Sequence, residues 1–234
     1  MKIFKKLSTI ILSLSIMTSS VSAFAYSDCD SDAVITLTEL NVLSGYDDGT
    51  FKPVTLLTRA EFAKMVSLVN GGPEIDESPV APTVENPFTD VTVNHWAYNY
   101  ILHCNALELI DGYEDGSFNP NENVSLAEAV KICLSAIGYN NLITEDTENW
   151  YEPWIDTAYD YKLIESKDID PNEKISRLSA AILVSRTIKL PICYVTGYDF
   201  STGKAVIQFD FADGTVDENG KAKPYSTLLT KHLQ

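Results

Sequence analysis

The sequence predicts a mainly α-helical repeat protein that ends in a short β segment. A nine-residue motif at 45–53 recurs at 112–120 with six identical positions. Apolar residues at helical spacing precede the second motif, and a hydroxyl residue followed by Glu three positions later comes after each motif. Beyond residue 190 the pattern changes to short apolar runs between turn formers. These observations indicate duplicated helix-loop-helix units followed by strands.

The first 25 residues have the pattern of a secretory signal peptide rather than of a folded element. Three lysines precede an apolar stretch at 7–17, and Ala23-Phe24-Ala25 is a small-x-small cleavage signal. We expect cleavage after Ala25, with an uncleaved membrane anchor as the alternative. Because no later stretch has 18 consecutive apolar residues, no membrane contact is expected after cleavage.

The charge balance excludes two classes of partner. With 17 Lys and Arg against 33 Asp and Glu, the formal net charge is −16. General nucleic-acid binding and attachment to anionic lipid both need a positive surface. An anionic partner must therefore be held by local positive groups.

The repeat defines the predicted domain boundaries. The apolar stripe that begins at Trp96 maps onto Trp150 with an offset of 54, which reveals a third, shortened copy without the Gly-Tyr-x-Asp-Gly turn. We predict a first copy at 26–72, a Pro- and acid-rich linker at 73–87, a second copy at 88–142, a third at 143–188 and a β-rich segment at 189–234.

Capping boxes mark where the second helix of a copy begins. Thr58 with Glu61 and Ser125 with Glu128 have the spacing in which hydroxyl and carboxylate satisfy free backbone N–H groups. Helix starts are therefore predicted at 58, 125 and 176.

These motifs resemble the S-layer homology family. The resemblance rests on Phe88-Thr89-Asp90, His95-Trp96-Ala97, the repeated nine-residue motif and Thr58-Arg59-Ala60-Glu61, in the family's order. It covers roughly residues 26–188 and leaves 189–234 unassigned. It implies three copies packed as a pseudo-threefold spindle, whose grooves hold anionic, often pyruvylated, secondary cell wall polysaccharide. It also implies a secreted protein held noncovalently at a bacterial cell wall.

Two arginines are the main candidates for glycan binding. Arg59 and Arg177 follow a helix cap, where an exposed guanidinium beside the helix dipole suits a carboxylate. A solvated arginine paired with a nearby acid is the alternative. The second copy has Leu126 at this position, so at most two grooves are expected to bind.

Four further residues complete the candidate site. Trp96 and Trp150 are expected either to stack on sugar rings or to fill the core. Asp48 and Asp115 are candidates for sugar hydroxyls or calcium, although stabilising their own turn is the favoured role. Lys64 and Lys131 repeat in register and are expected to be ordinary exposed helix lysines.

No catalytic, metal or cofactor motif is found in the sequence. His95, His103 and His232 lack metal-ligand spacing, and Cys104 and Cys133 are expected to be free, buried thiols. The sequence predicts an anchoring module, not an enzyme. One alternative is a degenerate module that mediates assembly with other surface-layer proteins, and another is the anchoring front part of a longer surface protein or enzyme.

Overall fold

The computed structural model describes residues 26–72, 85–143, 147–199, 201, 204–209 and 228. Its helices and strands, in chain order, are α1 (Asp32–Glu39), α2 (Arg59–Val69), α3 (Tyr98–Ala106), α4 (Leu126–Ala136), α5 (Glu152–Asp160), α6 (Arg177–Thr187), β1 (Cys193–Asp199) and β2 (Lys204–Phe209). The mainly α-helical prediction is confirmed. The predicted signal peptide and residues 73–84 of the predicted linker lie outside the described residues.

The predicted caps are present at all three second helices. At α2 the Thr58 hydroxyl accepts from the Glu61 N–H at 3.2 Å, and the Glu61 carboxylate accepts from the Thr58 N–H at 2.8 Å. Ser125 and Glu128 repeat this arrangement at α4. The cap of α6 has only its hydroxyl half, because Ser179 stands where the other copies have Glu.

Relative to the predicted copies, the helices pack between copies rather than within them. Helix α2 packs on α3, α4 on α5, and α6 on α1, so each pair joins the second helix of one copy to the first helix of the next. Helices α2, α4 and α6 also contact one another. Among the described residues the two helices of a single copy make no such contact. Each copy therefore depends on its neighbours for its core.

A ring of backbone hydrogen bonds joins the three segments that lead into these second helices. The N–H of Leu57 donates to Ile175 at 3.0 Å, Ile175 donates to Val124 at 3.1 Å, and Val124 donates to Leu57 at 3.0 Å. All three side chains are buried. The hydrogen bonds thus follow a three-fold pattern around one central point.

A carboxylate at the start of each of the first two copies holds the loop of that copy. Asp28 accepts from the N–H groups of Phe51 and Lys52 at 2.7 and 2.9 Å, and Asp90 binds the corresponding residues of the second copy. Phe51 and Phe118 are thereby fixed in the core, at 1% and 2% exposure. The Phe-x-Asp signature acts as a clamp between the amino end of a copy and its loop.

The carboxyl-terminal β segment is an antiparallel hairpin of β1 and β2, with a register shift between Val195 and Gly197. It docks on the end of α4, where the Cys193 N–H donates to Ile137 at 2.7 Å. Gly138 has a φ of +78° there, and a Cβ on it would lie 1.9 Å from the Cys193 carbonyl oxygen. The predicted β segment is confirmed by these two strands, whereas its residues beyond 209, apart from 228, lie outside the described residues.

Cys104 and Cys133 are buried as predicted, and burial raises the pKa of each thiol to about 12. The four cysteines form no disulfide within the described chain. None of the helices in this part of the chain is long and apolar enough to cross a membrane.

Candidate functional site

Two grooves of nearly equal size lie between neighbouring copies, about 180 Å³ and about 170 Å³ in volume. The first groove is lined by Val42, Leu43, Ser44, Phe51, Leu57, Glu61, Lys64, Met65, Trp96 and Arg177. The second groove is lined by Leu109, Ile110, Asp111, Gly112, Tyr113, Glu128, Lys131, Ile132, Trp150 and Arg59. Most lining positions of the first groove have an equivalent lining position in the second groove.

Each groove draws residues from all three predicted copies. One copy supplies the loop and the face of its second helix, the following copy supplies the tryptophan, and the remaining copy supplies the arginine. These elements meet because the second helix of each predicted copy packs on the first helix of the next. The structure thus groups Arg177 with Trp96 and Arg59 with Trp150, a pairing that the sequence did not reveal.

Arg59 is buried at 8% exposure, so the prediction of an exposed first-turn arginine is wrong. One terminal nitrogen lies 2.6 Å from a Glu128 carboxylate oxygen, and Nε donates to the Phe118 carbonyl at 2.8 Å. Its guanidinium also lies against the Phe118 and Tyr113 rings, at 4.6 and 5.0 Å. Arg59 joins the first copy to the loop of the second and neutralises a carboxylate there.

Arg177 occupies the equivalent position but makes fewer contacts. Its Nε donates to the Phe51 carbonyl at 2.9 Å and a terminal nitrogen donates to the Ser44 carbonyl at 3.0 Å. The guanidinium lies over the Tyr46 and Phe51 rings. Within the described residues Arg177 has no ion-pair partner.

Trp96 and Trp150 are exposed at 54% and 52%, so the alternative that they fill the core is wrong. Each lies just before a helix rather than on its buried stripe, because α3 begins at Tyr98 and α5 at Glu152. The His95 ring stacks on Trp96 with ring centroids 5.8 Å apart. An exposed indole at the edge of a groove offers a flat apolar surface to a ligand.

The two lysines that repeat in register line the grooves. Lys131 forms a 3.4 Å ion pair with Asp111 across the second groove. Lys64 lines the first groove together with Ser44, and the described part of the chain gives it no carboxylate within ion-pair distance. Its ammonium lies 5.7 Å from the centre of the Tyr100 ring. Alignment of the copies already paired these lysines but gave no sign that they shared a groove with the arginines.

Asp48 and Asp115 stabilise their own turns. The Asp48 carboxylate accepts from the Thr50 N–H and hydroxyl at 3.0 and 2.5 Å, and Asp115 binds Ser117 in the same way. These hydrogen bonds lower the pKa of both carboxyl groups. Neither Asp lines either of these two grooves. The described residues contain no cluster of His, Cys, Asp and Glu that could hold a metal ion.

Glu128 is the electrostatic centre of the second groove. Burial raises its pKa, but hydrogen bonds from Ser125 and the charge of Arg59 outweigh this, so that the pKa lies below its ordinary value. Tyr113 adds a hydroxyl hydrogen bond to the same carboxylate at 3.3 Å. This carboxylate therefore stays ionised and keeps Arg59 in place.

The equivalent place beside α6 lacks the arginine, glutamate and lysine that line the two grooves. Leu126 stands in place of the arginine, and counting from the helix caps places Ser179 and Ile182 where the other copies have Glu and Lys. The two grooves therefore share an arginine, a glutamate and a lysine that the third equivalent position lacks, and the number of grooves that bind stays a prediction.

The fold and these grooves define a tandem-repeat helical protein with ligand-sized, partly cationic clefts between its copies. The family model for the S-layer homology domain matches residues 27–63 and 87–130. The chain thus carries S-layer homology domains, as its motifs predicted, and is a cell-surface protein.

Similar proteins include a cell surface protein of Thermoanaerobacter kivui, 28% identical over 84% of this chain and 26% of the relative. The middle cell wall protein of Brevibacillus brevis is 27% identical over 88% of this chain and 18% of its own length. A cellulosome-anchoring protein of Acetivibrio thermocellus is 35% identical over 43% of this chain and 22% of its own length. The chain thus spans about a quarter or less of the length of these relatives.

Proposed function

We propose that the protein is an anchor that binds an anionic secondary cell wall polysaccharide noncovalently through the two grooves. The observation that carries the proposal is the repeated grouping of one arginine, one lysine and one exposed tryptophan in each groove. The S-layer homology domains support attachment to the cell surface. The names of the relatives, which include a cellulosome-anchoring protein, point the same way.

The chemistry of this grouping suits a carboxylated sugar. A guanidinium presents paired donors that match a carboxylate, and the ammonium adds a second positive charge. The indole offers an apolar face to a sugar ring, with its N–H free to find an acceptor. A pyruvyl group on a hexose combines the two features, since it places a carboxylate beside a ring. Because the chain as a whole is acidic, local contacts are the means of holding such a ligand.

Anchoring, rather than catalysis, is the role that we assign to these residues. We also assign α5 and α6 to a third copy, because they occupy the third position in the ring of hydrogen bonds and in the helix packing. In this account the third copy supplies Arg177 to the first groove and Trp150 to the second.

The proposal is tested with purified cell walls of the producing bacterium. The secreted protein should sediment with walls that retain their secondary polymer and remain in solution after the polymer is stripped. Equal sedimentation with both preparations would contradict glycan binding. Sedimentation with neither, together with self-association of the protein, would favour surface-layer assembly.

Matched variants sharpen this test. Arg177→Ala should lower wall affinity on the order of tenfold, since it removes a charge-assisted contact. Leu126→Ala, at the equivalent position of the second copy, should leave affinity unchanged. Circular dichroism of both variants controls for folding. Equal losses in the two would argue against the grooves.

A further inference from the structure

We infer that the two grooves are not equivalent, and that the first groove binds the anionic group more tightly because Asp111 competes with it in the second. This inference rests on the proposed function and names the groove and the residue that determine charge recognition. It follows from one pair of equivalent lining positions, which is the neutral Ser44 in the first groove and the acidic Asp111 in the second.

The net charge of the lining differs between grooves of almost the same volume. In the first groove Lys64 and Arg177 face one carboxylate, that of Glu61, which leaves one positive charge. In the second groove Lys131 and Arg59 face two carboxylates, those of Glu128 and Asp111, and the charges cancel. The two grooves therefore differ in the net charge of their lining residues and not in their volume.

The ion pairs of the lysines and arginines also differ between the two grooves. Asp111 lies 3.4 Å from the Lys131 ammonium, and Glu128 lies 2.6 Å from Arg59. An incoming carboxylate must compete with both acids. Glu61 caps Thr58 just as Glu128 caps Ser125. Unlike Glu128, however, Glu61 forms no ion pair with an arginine or lysine in the described part of the chain. The positive charges of this groove therefore remain available to a ligand.

A third positively charged side chain near the first groove increases the difference in charge between the two grooves. Lys52, which corresponds to Asn119 in the second copy, places its ammonium 3.9 Å from the centre of the Tyr46 ring. Arg177 lies 5.0 Å from the same ring. Lys52 also pairs with Asp48 at 3.7 Å, whereas Asp115, the counterpart of Asp48, has no ion pair in the described part of the chain. The loop beside the first groove therefore carries one negative charge fewer than the loop beside the second. The rim of the first groove is thus more positive than that of the second.

The inference is tested by nuclear magnetic resonance, because each groove contains its own reporter. The chain has three tryptophans, of which Trp96 belongs to the first groove, Trp150 to the second, and Trp154 is buried. Their indole N–H signals are followed while a pyruvyl-ketal methyl hexoside is added to the full chain. The methyl ester of the same compound is the neutral control.

The Trp96 signal should titrate at about tenfold lower concentration than the Trp150 signal, a difference of about 1.4 kcal/mol. The neutral ester should abolish this preference. Ser44→Asp should weaken the Trp96 titration by about tenfold, and Asp111→Ser should strengthen that of Trp150. Both substitutions are at exposed positions, and circular dichroism of the two variants controls for folding. Trp154 does not serve as this control, because its ring lies 5.9 Å from the ammonium of Lys131 in the second groove.

Three results would overturn the inference: equal titration of the two reporters, titration of Trp150 at the lower concentration, or no shift of Trp96. An unchanged preference in the two variants would overturn it as well. Each result is distinct from failure of the proposed function, which is judged separately by loss of sedimentation with polymer-bearing walls.

Discussion

The first and second grooves occupy equivalent places in the repeat, yet their arginines make different contacts. Arg59 is buried against Glu128 and Phe118, whereas Arg177 keeps the aromatic and carbonyl contacts without a paired carboxylate in the described part of the chain. The same frame therefore supports a structural ion pair in one groove and an available cation in the other. Equivalence of position in a repeat does not imply equivalence of function.

The largest expected effect concerns the buried arginine. Arg59→Ala should destabilise the protein by about 2 to 3 kcal/mol, because it leaves Glu128 without its partner in a partly buried site. Arg177→Ala should cost no more than about 1 kcal/mol. Urea unfolding of the two variants measures the difference. Equal stability of both would show that the two arginines are interchangeable.

This prediction reverses what the sequence suggests, and the reason lies in the packing. From the sequence, Arg59 follows a cap and precedes a helix, which is typical of an exposed first turn. Its burial depends on the loop of the second copy, 59 residues further along the chain, which closes over it. Helix starts, caps and the β segment depend on local patterns and were predictable. The packing of a second helix on the first helix of the next copy is not indicated by any local sequence pattern.

The same limit applies to the groove residues. The repeated register already aligned Lys64 with Lys131, and it also aligned Ser44 with Asp111, so the charge difference was present in the sequence. Only the structure places these positions beside the arginine of another copy and the tryptophan of a third. The clamp formed by Asp90 was likewise part of a recognised motif whose role needed the fold.

A smaller effect is expected from the helix caps. Thr58→Ala and Ser125→Ala should each cost roughly 1 kcal/mol, since each hydroxyl satisfies a backbone N–H at a helix start. Ser176→Ala should cost less, because its cap lacks the reciprocal carboxylate. Thermal melts of the three variants rank them. A Ser176 variant that is the least stable would contradict this interpretation of the caps.

The smallest expected change is the pH dependence of stability that Glu128 causes in the second groove. The folded-state pKa of Glu128 is lowered, so its contribution to stability is present above its unfolded pKa and is lost as pH falls through the folded value. Glu128→Gln should therefore be less stable than the wild type at neutral pH, and the gap should narrow as the pH falls below the ordinary carboxyl pKa. Urea unfolding at neutral and acidic pH measures it. A gap that widens on acidification would contradict the assigned shift.

The free cations of the first groove are the groups that we propose hold the wall polymer. Wall-binding isotherms of Lys64→Ala and Lys131→Ala, two helix lysines at equivalent positions, test this claim most directly. Lys64→Ala should lower the affinity for polymer-bearing walls by about tenfold, since it removes an available charge. Lys131→Ala should change it little, because its charge is already matched by Asp111. A larger loss from Lys131→Ala, or no loss from Lys64→Ala, would contradict the claim.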